Sequence, residues 1–199
     1  VNLIIEGTSQ IMRLFIAREA LDPHLKRIEP ILSPRTPILK KIKLSISSGL
    51  HYFFWYPGLW LPCLAVKGSA GLPPALKKHV KFARATAKRL ARKLFLTMVI
   101  YQQRLESKQN ILTRYVDIGT DLFVIATVCS YAATLSKQKD GPAAASSSVE
   151  LADLFCRQAR ARIANNFKEV CCNQDKMIKV IAKKILAGGY EWLENEIIK

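Results

Sequence analysis

The sequence predicts an all-α protein whose larger part is an up-and-down helical bundle. Two observations predict it: apolar residues beyond residue 75 recur three or four apart over long stretches, and no stretch shows the alternation of a half-buried strand. A third bounds the class. Half of the 199 residues are apolar, which suffices for a sizeable core and excludes wholesale disorder. No internal repeat is present.

Residues 9–21 read as the first helix. Thr8 or Ser9 can cap it, and Asp22-Pro23 is expected to end it. Its apolar residues cover more than one stripe, as in a helix buried within a larger body. Residues 22–37 carry Pro23, Pro30, Pro34 and Pro37 and read as a connector with short helical turns. In "ILKKIKLSISSGLHYFFWYPGLWLPCLAVKG", residues 38–68, a basic amphipathic start gives way to an aromatic, apolar run. Gly49, Pro57, Gly58 and Pro62 are expected to interrupt it, which argues against a membrane-spanning helix. "GSAGLPP" at 68–74 reads as a linker.

The bundle follows. A helix over about 75–103 carries Leu76, Val80, Ala83, Ala87, Leu90, Leu94, Met98 and Tyr101 on one side and Lys77, Lys81, Arg84, Lys88 and Arg92 opposite. A second long helix covers 107–135, a loop 136–148, a third helix about 149–170 and a fourth about 174–187, ending at Gly188-Gly189. A short helix in "YEWLENEIIK" closes the chain. The expected domains are 1–30, 31–74 as linker and surface-contacting segment, and 75–199.

The net charge of +16 is unevenly placed. No Asp or Glu stands between Glu29 and Glu106, a stretch rich in Lys and Arg, so this block suits a polyanion or an anionic membrane surface. Cys129 and Cys156 lie in apolar helical runs and read as small core residues; adjacent Cys171 and Cys172 are read as structural before redox-active. With Cys63 the cysteine count is odd and lacks C-x-x-C spacing, which fits a reducing compartment. His24, His51 and His79 have no ligand spacing, and no metal is expected.

"IIEGTSQIMRLF" at 4–15 places Glu6 on a Gly-Thr turn before an apolar helix. On the residues alone, an acid there most often complements the helix dipole. The alternative is that Leu3, Ile4 and Ile5 desolvate Glu6 and raise its basicity toward that of a general base. Gly7 then allows close approach of a ligand, and Thr8, Ser9 and Gln10 present polar groups at the helix start.

The stretch "EGTSQIMRLFIAREAL" at 6–21 resembles the last motif of the acyl-CoA dehydrogenases, a Glu-Gly-Thr turn followed by an I-x-R-x-x-x-A-R helix. "ILTRYVDIGTDLFVIATVCSYAATLS" at 111–136 and "ELADLFCRQARARIANNF" at 150–167 resemble helices of the C-terminal extension of the very-long-chain type. The resemblance spans nearly the whole chain in order. It implies the last helix of the catalytic C-terminal bundle followed by a helical extension. It makes Glu6 the base that removes the α-proton of a long-chain fatty acyl-CoA, and it places Gly7 against the thioester and Thr8, Ser9 and Gln10 on FAD. It implies electron-transferring flavoprotein as acceptor and a homodimer when complete. Arg13 and Arg18 match the motif too, as packing or interface residues before ligand contacts. Ile5 departs from the aromatic that usually precedes the glutamate. Since the earlier domains of the family are not in these residues, the chain is expected to be one piece of a longer catalytic protein, without flavin or activity by itself.

The relatives also dock on a membrane through a segment at the place of residues 38–66. Tyr52, Phe53, Phe54, Trp55 and Trp60 are interfacial residue types, and Lys40, Lys41 and Lys43 suit anionic headgroups. The expected location is peripheral, on the mitochondrial inner membrane or the bacterial cytoplasmic membrane face. Nucleic-acid binding is the rival for the charge, but the basic face of the 75–103 helix lacks interleaved aromatics and no nucleic-acid motif accompanies it, so no nucleic acid is expected.

Overall fold

The computed structural model describes residues 8–61, 71–137 and 142–195. Among them are seven α-helices and no strand: α1 (Ser9–Leu32), α2 (Ile38–Gly58), α3 (Pro74–Tyr101), α4 (Gln109–Leu135), α5 (Pro142–Cys171), α6 (Asp175–Leu186) and α7 (Glu191–Asn195), with a 3-10 turn at Gln102–Ser107. The all-α expectation holds.

The core lies between α3, α4 and α5. Leu76 and Ala83 of α3 meet Ile118, Leu122 and Ile125 of α4 and Ala152, Cys156, Ala159 and Ile163 of α5. Small residues on α5 let it approach α4 closely, and Cys129 and Cys156 pack with their sulfurs 3.6 Å apart. Both cysteines are fully buried, as expected of small core residues. A second cluster joins α1 to the bundle: Ala17 and Leu21 pack on Met98, Leu105, Leu112 and Val116. α4 is long and apolar enough to cross a membrane. Here its buried apolar residues face α1, α3 and α5, Phe123 and Tyr131 are exposed, and its charges pair across helices, Asp117 with Arg13 and Asp121 with Arg162. It is the central helix of the bundle.

Three expectations are corrected. α1 does not end at Asp22-Pro23 but continues to Leu32 with Pro23 and Pro30 inside it. An internal proline costs about 3 kcal/mol. Against it stand the inward residues beyond it: His24 on an aromatic cluster and Ile28 on the second core, with the Asp22–Lys26 ion pair at 2.6 Å bracketing the proline. α2 likewise runs unbroken through Gly49, with Pro57 only in its last turn. α5 begins at Pro142 rather than near 149, because proline suits a first turn and Ala143–Ala145 are strong helix formers.

Gly119 sits mid-helix in α4, and a Cβ there would meet only the Leu90 Cδ2, at 3.8 Å, an ordinary contact. Gly119→Ala is therefore expected to stabilise the chain by about 0.5–1 kcal/mol through reduced unfolded-state entropy. Urea denaturation checks it: the midpoint rises with unchanged slope.

Candidate functional site

The expected site divides into two places. The first is the start of α1. Thr8 adopts extended backbone and its Oγ1 accepts from the Ile11 N–H at 3.4 Å, so it is the cap. No acid stands in the first turn of α1, and Thr8, Ser9 and Gln10 are exposed. The positive end of the helix and three polar side chains thus face outward together, a set able to bind a polar or anionic group. Glu6 and Gly7 lie outside the described residues. Below this turn the helix is anchored: Arg13 Nε donates to Asp117 Oδ1 at 2.8 Å, and Ala17 and Leu21 are buried against α4. Arg13 is half-exposed and held in this ion pair, and Arg18 is exposed. On the outer side Ile11, Met12, Phe15 and Ile16 are exposed.

The second place is α2, which is apolar on two sides. Its inner side carries Tyr52, Trp55 and Tyr56, which close on His24 of α1 and Phe95 of α3 with ring centroids 4.9–6.0 Å apart. Burial, then the nearby His51 and Arg27 charges, lowers the pKa of His24. His24 Nδ1 and the Tyr52 hydroxyl are hydrogen-bonded at 2.9 Å. Burial also pushes the Tyr52 phenol up, so it keeps its proton. The outer side carries Leu39, Ile42, Ile46, Leu50 and Phe53, three or four apart, with Phe54 at its margin; Leu39 is 83% exposed, Phe53 70% and Phe54 72%. Lys40 and Lys43 are exposed, whereas Lys41 is half-buried.

The structure therefore separates the residues expected to touch a surface. Phe53, Phe54, Trp60, Lys40 and Lys43 are open, while Tyr52 and Trp55 are half-buried in the aromatic cluster. Leu39, Ile42, Ile46 and Leu50 extend the open stripe and were not singled out from the sequence, although their spacing is a helical signal once Gly49 is not read as a break. Trp60 lies beneath the Arg92 guanidinium, 4.3 Å from the ring centroid. Arg92 also donates to the Leu59 carbonyl, and Lys88 Nζ to the Leu61 carbonyl at 3.0 Å. Two cations of the basic block thus hold the carbonyl-rich end of α2. Others are engaged within the fold: Lys78 pairs with Asp153 at 2.8 Å, and Arg89 lies over Phe167 at 4.3 Å.

The two places are not brought together. His24, which carries the α2 cluster, is about 24 Å along α1 from Thr8 at 1.5 Å per residue. Between them, α1, α3 and α4 line an apolar groove of about 300 Å³ that opens to solvent, with Ala17, Ala20, Leu90, Leu94, Tyr115 and Phe123 among its walls. No cluster of His, Cys, Asp or Glu able to hold a metal exists among the described residues.

Comparison with known proteins decides the family. The model of the ACAD9/ACADV C-terminal domain matches residues 74–190, α3 through the turn before α7. The chain belongs to this family. Proteins described as probable acyl-CoA dehydrogenase FadE10, from Mycobacterium bovis and Mycobacterium tuberculosis, are 35% identical to it over 204 residues. The alignment covers 100% of this chain and 30% of each relative. The chain thus spans about a third of the length of the curated relatives it matches. No solved structure matches it. In the ACAD9/ACADV C-terminal domain of this chain lie α3, α4, α5 and α6; α1 and α2 precede the matched region.

Proposed function

We propose that this chain is the C-terminal part of an FAD-dependent acyl-CoA dehydrogenase that converts long-chain fatty acyl-CoA to trans-2-enoyl-CoA at an anionic membrane surface. The observation that carries the reading is the match to probable acyl-CoA dehydrogenases, which covers 100% of this chain. Glu6 takes the α-proton of the thioester, and Gly7 leaves room for the substrate beside the backbone. Thr8, Ser9 and Gln10, exposed at the start of α1 with no acid in its first turn, suit polar contacts to FAD. FAD, when bound, accepts the β-hydrogen as hydride. Electron-transferring flavoprotein then serves as electron acceptor, and the complete protein is a homodimer.

The test is made on the complete polypeptide. It should purify with flavin and oxidise palmitoyl-CoA in the presence of an electron acceptor, whereas the 199-residue chain alone should bind no flavin. A complete protein without flavin and without oxidation would end the dehydrogenase reading.

The membrane part of the reading rests on the outer face of α2. An amphipathic helix with open Phe53 and Phe54 beside Lys40 and Lys43 has the chemistry of an interfacial helix. This location is peripheral, on the mitochondrial inner membrane or the bacterial cytoplasmic membrane face. Phe53→Ser with Phe54→Ser is expected to weaken sedimentation with phosphatidylglycerol-containing vesicles by roughly tenfold, since two large apolar side chains are lost from the lipid. Unchanged sedimentation would reject α2 as an anchor.

A further inference from the structure

α6 is a second amphipathic helix, remote in sequence from α2. Met177, Ile178, Ile181 and Ile185 share one side, and Lys176, Lys179 and Lys183 the other. No residue of α6 is buried; Met177 is 62% exposed, Ile178 and Ile185 54% each. Its first turn is fixed by polar contacts: Asp175 receives Arg114 at 2.7 and 2.8 Å and the Asn110 amide at 3.2 Å, and Ile181 is half-buried. Arg114 also reaches Glu169 of α5 at 3.4 Å. At its far end the Gly189 N–H donates to the Lys184 carbonyl and the Gly188 N–H to Ile185, with Gly188 at φ +78°, a Schellman ending. Beyond it Trp192 is exposed on α7.

The apolar row is thus held away from the core by a rigid polar clamp, with nothing among the described residues seated on it. The charge around it selects the occupant. α6 carries Lys176, Lys179, Lys183 and Lys184, and its one acid, Asp175, is taken by Arg114. On a helical wheel Lys184 borders the apolar row beside Met177, so its stem can lie along the row while its ammonium group reaches outward, and Lys176, Lys179 and Lys183 form the opposite, polar face. A second copy of this chain seated there would bring lysine rows together. A phospholipid surface satisfies both faces, acyl chains for the isoleucines and phosphates for the lysines.

We propose that α6 is a lipid-contacting element of its own, lying in the headgroup region of an anionic bilayer with Met177, Ile178, Ile181 and Ile185 toward the acyl chains. It stands on α6 alone and does not require that α2 touch lipid.

The 199-residue chain is sedimented with vesicles of phosphatidylcholine containing phosphatidylglycerol. Ile178→Ser, Ile181→Ser and Ile185→Ser are combined in one variant with α2 unchanged; Lys179→Glu with Lys184→Glu forms a second. Each is expected to lower vesicle affinity at least tenfold with at most a small fall in melting temperature, because Ile181 is half-buried and the other substituted residues are exposed. Affinity equal to the parent in the isoleucine variant overturns the proposal, as does its binding unchanged while a dimer of the parent dissociates, which would assign the face to a second copy. Loss on α2 substitution with no loss on α6 substitution overturns this inference and leaves the α2 anchor standing; the converse rejects α2 and supports α6.

Discussion

Glu6→Gln in the complete polypeptide is expected to lower turnover of a long-chain acyl-CoA by about 10²–10⁴-fold, the usual contribution of a positioned general base. The amide keeps the size and polarity of the side chain and cannot take the α-proton. The cap of α1 belongs to Thr8, whose Oγ1 holds the Ile11 N–H, so the helix start does not depend on the charge at position 6. Flavin content and thermal stability should therefore stay at the parent value while kcat falls. The measurement is steady-state oxidation of palmitoyl-CoA beside the flavin spectrum of the same sample. Equal turnover in both proteins would reduce Glu6 to a partner of the helix dipole, worth at most about 1 kcal/mol in stability.

Asp153→Ala is expected to be the most damaging single change to the fold among polar residues of the described bundle. His79 is fully buried on α3, and its Nε2 lies 2.7 Å from Asp153 Oδ1 of α5; its Nδ1 has no partner. Removing the carboxylate leaves a buried imidazole with neither nitrogen bonded, at a cost of about 2–3 kcal/mol. For a chain of this length that lowers the melting temperature by roughly 5–10 °C. Lys78 and Arg157 also bind Asp153, at 2.8 and 2.7 Å, from partly exposed positions where solvent screens them. Asp153→Asn keeps an acceptor for His79 and should cost distinctly less; equal losses in the two variants would assign the effect to charge rather than to the buried bond.

The same group sets an acid limit. Hydrogen bonds from Lys78, then His79 and Arg157, hold the Asp153 carboxyl well below the usual carboxylate range. Its contribution is complete above the unfolded value of about 3.9 and is lost as pH falls toward the folded one. His24, lowered chiefly by burial, acts in the same direction at milder pH: the unfolded chain takes up its proton first, so stability declines as pH drops below about 6.5. Melting temperature should therefore fall in two stages on acidification. Asp153→Asn should remove the lower stage and His24→Gln the upper.

The sequence made the bundle readable because α3, α4 and α5 must each bury one long stripe, and Leu76, Ala83 and Met98 of α3 fall on the expected side. Ala87 is the exception: it is exposed, and Thr86 takes the inward place on α3. The front of the chain was misjudged for one reason. Local rules end a helix at proline or glycine, whereas Pro23, Pro30 and Gly49 are carried by tertiary contacts that no local window contains, chiefly His24 on Tyr52 and Phe95. With α2 taken as broken, its inner and outer faces could not be told apart, and Tyr52 and Phe53 were grouped together. The open face of α6 escaped notice because an amphipathic pattern states which side is apolar and not whether anything covers it. Glu6 was legible only through a motif, since an acid at a helix start carries no signature of chemistry by itself.

The paired thiols of α4 and α5 turn the protein into its own reporter of cooperative opening. Cys129 and Cys156 are sealed in the core, and burial with the neighbouring sulfur pushes the Cys129 thiol up to about 12, so almost none of it is thiolate at neutral pH. Cys171 and Cys172 stand in solvent just beyond. A maleimide added to the native chain should mark the outer two at once and the inner two only when α4 and α5 part. The ratio of those rates measures how often the bundle comes undone under conditions in which it is otherwise fully folded.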